Sequence, residues 1–166
     1  MVGHSGLQQR SAQQRLLDLG IHLPAAPTPL GTYVEALQTG NLLFLSGMLP
    51  VVDHKAKYVG RLGKELDAEA GRDAVYTAAL GALAVAQEFL GSLDRITRVV
   101  RLGVFLATVG DFFDQPRVAD GASDLFRDVF GIEKASVRTV LGVASLPLGM
   151  PVALEIIFEV KAAESL

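Results

Sequence analysis

No cysteine occurs among the 166 residues. That excludes disulfides, thiolate chemistry and Cys-based metal sites, and it is compatible with a reducing compartment. Basic residues are not in excess: 15 Lys and Arg stand against 18 Asp and Glu, a formal net charge of -3, with an isoelectric point near 5.6. Such a balance offers no electrostatic footprint for nucleic acid or an acidic membrane. Histidine is scarce. His4, His22 and His54 stand far apart without the i,i+4 spacing of a metal pair, so neither a metal nor another cofactor is read from them. Long apolar runs are missing too. The longest, Ala74 to Leu90, is interrupted by Tyr76, Thr77, Gln87 and Glu88, too short and too polar to span a bilayer. The N-terminal MVGHSGLQQRSAQQ has no apolar core of the signal-peptide type. The expectation is a soluble, cytoplasmic protein.

What is present is hydrophobicity. Half of the chain (50%) is hydrophobic and the mean hydropathy is +0.37. Either the core is large or a partner chain covers apolar surface. The length fits one domain. Residues 1–30 read as an N-terminal helix and a connector, ahead of a domain over 31–162. The helix is placed at Gly6 to Gly20, capped by Ser5, and the proline-rich connector runs from Leu23 to Pro29. Strands are expected at Tyr33 to Gln38 and Leu42 to Ser46 about a Gly40-Asn41 turn, followed by a charged loop from Val52 to Leu66. A helix over Asp67 to Leu90 ends at Gly91, with Val75, Ala78, Ala79, Ala82, Leu83, Ala86, Phe89 and Leu90 on its apolar face. Ile96 to Leu106 reads as a strand with Ile96, Val100, Leu102, Val104 and Leu106 on one side. A second helix starts at Asp114-Gln115-Pro116 and runs to Phe130. The order β-β-α-β-α-β-β implies an α/β (α+β) domain with helices on one face of a mixed sheet.

Several constellations fail. Gly63-Lys64 has Tyr58 where a phosphate loop needs its first glycine, and Glu65 where it needs Ser or Thr. Ser46-Gly47 is no nucleophile elbow, since no histidine partner is evident. Arg95, Arg98 and Arg101 form a small basic cluster, but strict strand alternation sets Arg98 opposite the other two, a solvated edge and not an RNA-binding strip.

The C-terminal segment SVRTVLGVASLPLGMPVALEIIFEV reads as strand, turn, strand about Leu146-Pro147-Leu148-Gly149. Val152, Leu154, Ile156, Phe158 and Val160 share one face, which must be buried. Arg138 lines up with Val140, Gly142 and Ala144, a poor setting for a solvated charge, and its planar fork suits a carboxylate. Glu155 is the second ionisable group of the segment. An ordinary hairpin in which Arg138 and Glu155 neutralise each other is the plain alternative.

The Arg138 to Pro147 pattern followed by a hydrophobic strand with Glu155 resembles the C-terminus of the RidA/YjgF family of reactive-intermediate deaminases. The stretch from Thr39 to Pro50, TGNLLFLSGMLP, is similar to an early segment of that family. So are Tyr33 with Glu35-Ala36, and Val100 to Leu106. The resemblance, which runs from roughly Gly31 to Val160, implies a chorismate-mutase-like fold and a homotrimer with clefts between neighbouring subunits. It implies that Arg138 grips the carboxylate of a 2-imino acid and that Glu155 activates the attacking water. Tyr33, Ser46, Gly47, Val140 and Ser123 would line the cleft. Departures concern Ser123, nearest a family asparagine; Val140, at a position where some members have cysteine; and Gly142, in place of a common glutamate. Three functions follow: hydrolysis of 2-imino or enamine acids to 2-keto acids and ammonia, small-carboxylate binding by a non-catalytic trimer acting as sensor or regulator, and endoribonuclease activity. The acidic balance argues against the last.

Overall fold

The structure, a computed structural model, describes residues 10–162. The first helix, α1, is Ala12–Asp18, capped by Ser11, whose Oγ accepts from Gln14 N at 3.2 Å. It is shorter than the Gly6 to Gly20 span. The expected cap Ser5, like His4, lies outside the described residues. Ala12 and Leu16 enter the core, while Leu17 and Leu19 stay exposed.

Strand β1 (Ala36–Thr39) turns through Gly40-Asn41 into β2 (Leu42–Leu45), with Gly40 at φ 57°. Tyr33 and Val34 precede the first strand instead of forming part of it. The charged loop holds a small hairpin absent from the expected order, β3 (Val51–Val52) and β4 (Lys55–Ala56). Its turn residues, Asp53 (φ 49°) and His54 (φ 62°), are both left-handed, as two-residue hairpins favour. Neither is glycine, so turn chemistry gave no warning.

Helix α2 (Ala68–Leu90) keeps its expected ends: the Asp67 carboxylate accepts from Ala70 N at 2.8 Å, and Gly91 adopts φ 81°. Its small residues are buried, but Phe89, placed on the apolar face from the sequence, is 46% exposed. Helix α3 (Gln115–Phe130) approaches α2 so closely that a Cβ on Gly121 would lie 2.6 Å from Arg72 O.

Strand β5 (Ile96–Ala107) departs from simple alternation. Register shifts between Ile96 and Arg98 and between Val99 and Arg101 mark two bulges. Val99, not Val100, is therefore buried. Arg98 and Arg101 consequently share a face, opposite Glu159 and Ile157, contrary to the sequence expectation. Arg95 leaves the cluster altogether, donating to Leu90 O and Lys161 O.

The largest correction concerns the last two strands. β6 (Val137–Val143) and β7 (Val152–Val160) do not pair: the sheet order is β1-β2-β7-β5-β6, with β6 parallel to β5 on the outer edge. The hairpin alternative falls with it. A parallel edge strand needs a crossover, and α3 supplies it.

The alternation along β7 is as read: Val152, Leu154, Ile156, Phe158 and Val160 are all buried under α2 and α3, with α1 packed against α3. The opposite sheet face is open and apolar, with Leu37 (53%), Leu141 (49%) and Val137 (69%) exposed. The mixed sheet with helices on one side thus holds.

Phe158 touches Phe126 and Phe130 at centroid distances of 6.1 Å and is fully buried. Phe158→Ala should therefore cost about 3–5 kcal/mol, read as a lowered urea midpoint. Phe113→Ala, at a side chain 78% exposed, should change stability by less than about 0.5 kcal/mol.

Candidate functional site

Arg138 pairs in register with the buried Leu102, so its side chain emerges on the helix-covered face. Nη1 donates to Asp120 Oδ1 at 2.6 Å and to Ser123 Oγ at 3.0 Å, both one turn apart on α3. Nε and Nη2 have no hydrogen-bond partner among the described residues. The guanidinium is thus fixed by one nitrogen, while its remaining edge keeps the two parallel donors that suit a planar anion. Val140, half-buried, lies two residues along the same face. Gly142 follows, and a Cβ there would lie 2.8 Å from Thr108 Oγ1. Thr108 therefore crowds any side chain added at this position.

Three of the sequence candidates therefore meet: Arg138, Ser123 and Val140. Asp120 completes the group and was missed, although its i,i+3 spacing from Ser123 sets both on one helix face.

Glu155 lies elsewhere. It faces Gly103 in register, on the open side of the sheet, and its Oε1 accepts from Arg101 Nε at 3.2 Å. Arg138 and Glu155 of one chain are on opposite faces and do not neutralise each other. Register decides this: Arg138 pairs with Leu102 and Glu155 with Gly103, consecutive residues of β5 that point to opposite faces.

Tyr33, Ser46 and Gly47 form a third group at the far edge. Ser46 Oγ donates to Val34 O at 2.5 Å and Tyr33 Oη accepts from Leu30 N at 3.0 Å, so both hydroxyls brace the segment before β1. Tyr33 and Gly47 line a cleft with Glu35, Thr28 and His54. Burial pushes the Glu35 carboxyl above its ordinary value of 4.5. Four strand spacings, roughly 19 Å, separate β1 from β6. One chain therefore carries the two halves of the candidate cleft on opposite edges. Among the described residues no group of three His, Asp or Glu could hold a metal ion, and no helix is long and apolar enough to cross a membrane.

A family model described as "YjgF/chorismate_mutase-like, putative endoribonuclease" matches residues 13–160. The chain belongs to this family. It is similar to Protein TCP17 of Trypanosoma cruzi, 41% identical over 144 residues, which are 86% of this chain and 90% of that protein. It is also similar to a 2-iminobutanoate/2-iminopropanoate deaminase of Dermatophagoides farinae, 28% identical over 142 residues, 85% of this chain and 95% of that protein. Among solved structures, Atu1372 of Agrobacterium tumefaciens, a protein of unknown function, matches with a TM-score of 0.83 at 35% identity. The match covers 90% of this chain and 92% of that one.

The raised Glu35 carboxyl has a consequence for stability. The folded state holds its proton more tightly than the unfolded state, so this group's contribution is intact below about pH 4.5 and falls as pH rises through that region. Glu35→Gln should be more stable than the parent at pH 7 and equal to it near pH 3.5, measured by thermal unfolding at both values.

Proposed function

We propose that this member of the YjgF/chorismate mutase-like family is a homotrimer that hydrolyses 2-imino acids to 2-keto acids and ammonia in clefts between subunits. The observation that carries the reading is Arg138, held through Nη1 by Asp120 and Ser123 with its Nε and Nη2 edge unpartnered among the described residues. The similarity to a 2-iminobutanoate/2-iminopropanoate deaminase supports the substrate class. Assembly is supported by two features: an open apolar sheet face and a cleft whose halves lie on opposite edges of one chain.

The chemistry asks little of the protein, because a protonated imine carbon is already electrophilic. Arg138 binds the carboxylate edge-on and so fixes the carbon relative to the cleft walls. Tyr33, Ser46 and Gly47 of a neighbouring copy line the other side. Water adds its oxygen to the imine carbon and loses a proton to a general base, the nitrogen takes up a proton, and the C–N bond breaks to release ammonia. Glu155 is the proposed base. Since it and Arg138 occupy opposite sheet faces, catalysis through both requires that different copies supply them.

The Arg101–Glu155 ion pair favours a second reading, a trimer that binds small carboxylates without turning them over. It needs Arg138 but not Glu155.

Light scattering should give about three times the 17.6 kDa chain mass; a concentration-independent monomer would remove the cleft. Arg138→Ala should weaken carboxylate binding by on the order of 2–5 kcal/mol while the protein still folds. Lys should restore little, as a point charge lacks the planar fork.

Glu155→Gln separates the two readings. If Glu155 is the base, carboxylate affinity stays within a few-fold and turnover of an imine generated in situ falls by about 10²–10⁴ above the uncatalysed background. Wild-type protein that binds carboxylates yet adds nothing to that background is the binding trimer.

A further inference from the structure

The cleft beside Gly47 contains a group that the proposed hydrolysis does not use. Its walls include Leu30, Leu49 and Val51, and its polar groups are Glu35, Thr28, Tyr33 and His54. The polar groups are not equivalent. Tyr33 Oη is engaged by Leu30 N at 3.0 Å, and His54 Nδ1 lies 3.5 Å from Thr28 Oγ1. Glu35, half-buried, has no hydrogen bond or ion pair through its carboxylate among the described residues. No lysine or arginine lines the cleft.

We propose that this cleft binds a primary ammonium group on a short aliphatic stem, with the Glu35 carboxylate as its counter-charge. The inference deepens the preceding reading, since Tyr33 and Gly47 belong to both: a substrate anchored at Arg138 would be selected by an amine-bearing side chain reaching Glu35.

The physical basis is compensation. A half-buried ionised carboxylate without a hydrogen-bond or ion-pair partner among the described residues is only partly solvated, and a cation with N–H donors compensates it. The raised affinity of Glu35 for its own proton is the same unmet demand. A metal cation fits less well, because Glu35 and His54 supply only two ligands and the described residues offer no third His, Asp or Glu. Size limits the stem. The cavity measures about 40 Å³, room for about three waters, and hence for a chain of about four heavy atoms.

The segment that closes this cleft is this chain's own. Thr28 and Leu30 come from the proline-rich connector, and His54 comes from the β3–β4 hairpin, whose left-handed turn fixes where the imidazole stands.

The test is an amide chemical-shift titration of the full chain with n-propylammonium chloride at pH 7 and constant ionic strength, with butanoate as a separate probe. Propylammonium should shift Glu35 and Gly47 saturably. Glu35→Gln should weaken its binding by about tenfold, as expected for loss of a partly desolvated ion pair. Glu35→Asp, which keeps the charge, should stay within a few-fold. Glu88→Gln, on the α2 side of Glu35, should leave propylammonium binding unchanged, and Arg138→Ala, which removes a like charge, should not weaken it. No saturable propylammonium binding, or equal affinity in Glu35→Gln, overturns the inference. Butanoate reports on the other site alone: its loss in Arg138→Ala supports the carboxylate anchor, and its persistence there sinks that anchor without touching Glu35.

Discussion

One-sided burial of the five-stranded sheet is the constraint on which everything else rests. Along β7 every second side chain from Val152 to Val160 is buried, and all of them face the same helical layer. That layer lies close because it is built from small residues: Ala74, Ala78, Ala82 and Ala86 on α2, and Ala119, Gly121 and Ala122 on α3. Small side chains let two helices and a sheet approach without voids. The three-ring contact of Phe126, Phe130 and Phe158 ties α3 to β7. The opposite face receives no helix, so its leucines and valines are left to water or to another chain.

The same constraint positions Arg138. Parallel pairing at the sheet edge, with Arg138 in register with the buried Leu102, turns Arg138 toward α3, where Asp120 and Ser123 wait one helical turn apart. The pairing is half-exposed, so it contributes little to stability. Its value is geometric. A carboxylate on Nη1 removes the end-on approach to the guanidinium and leaves the side-on edge, which fixes the plane in which an incoming anion must lie. Asp120 also offsets part of the Arg138 charge. On the other face, Arg101 does for Glu155 what Asp120 does for Arg138, and neither charge is left without a counter-ion.

These pairings place two groups at opposite edges of one sheet, an arginine on β6 with its Nε and Nη2 edge unpartnered among the described residues and a carboxylate-bearing cleft beside β1. The proposed function needs both in one cavity, which one chain by itself does not provide. Gly142 illustrates how local this tuning is. Thr108 fills the space beside it, so a side chain at this position would crowd its hydroxyl, and glycine leaves the region beside the arginine without a further charge.

Much of this was legible in the residues alone. The ends of α2 follow from Asp67 and Gly91, the buried face of β7 from period-two alternation, and the start of α3 from Pro116. Each is a short-range signal, in which a residue's own chemistry decides its local geometry. Strand alternation aligned Arg138 with Val140, whereas Ser123 became a candidate only through the family resemblance. What sequence could not give was set by contacts distant along the chain. Strand proximity favoured pairing β6 with β7, but β5 inserts between them, and its Leu102 to Ala107 end, apolar throughout, is flanked by strands on both sides. Two bulges in β5 break the alternation that would have kept Arg98 and Arg101 apart, and no glycine marks them. The β3–β4 turn uses Asp53 and His54 where glycine is usual. Sequence therefore determined most of the elements and the buried face of β7, because those depend on neighbours two to four residues away. Tertiary structure alone decided which charges meet, because an ion pair such as Arg101–Glu155 depends on register between strands that lie 54 residues apart in sequence.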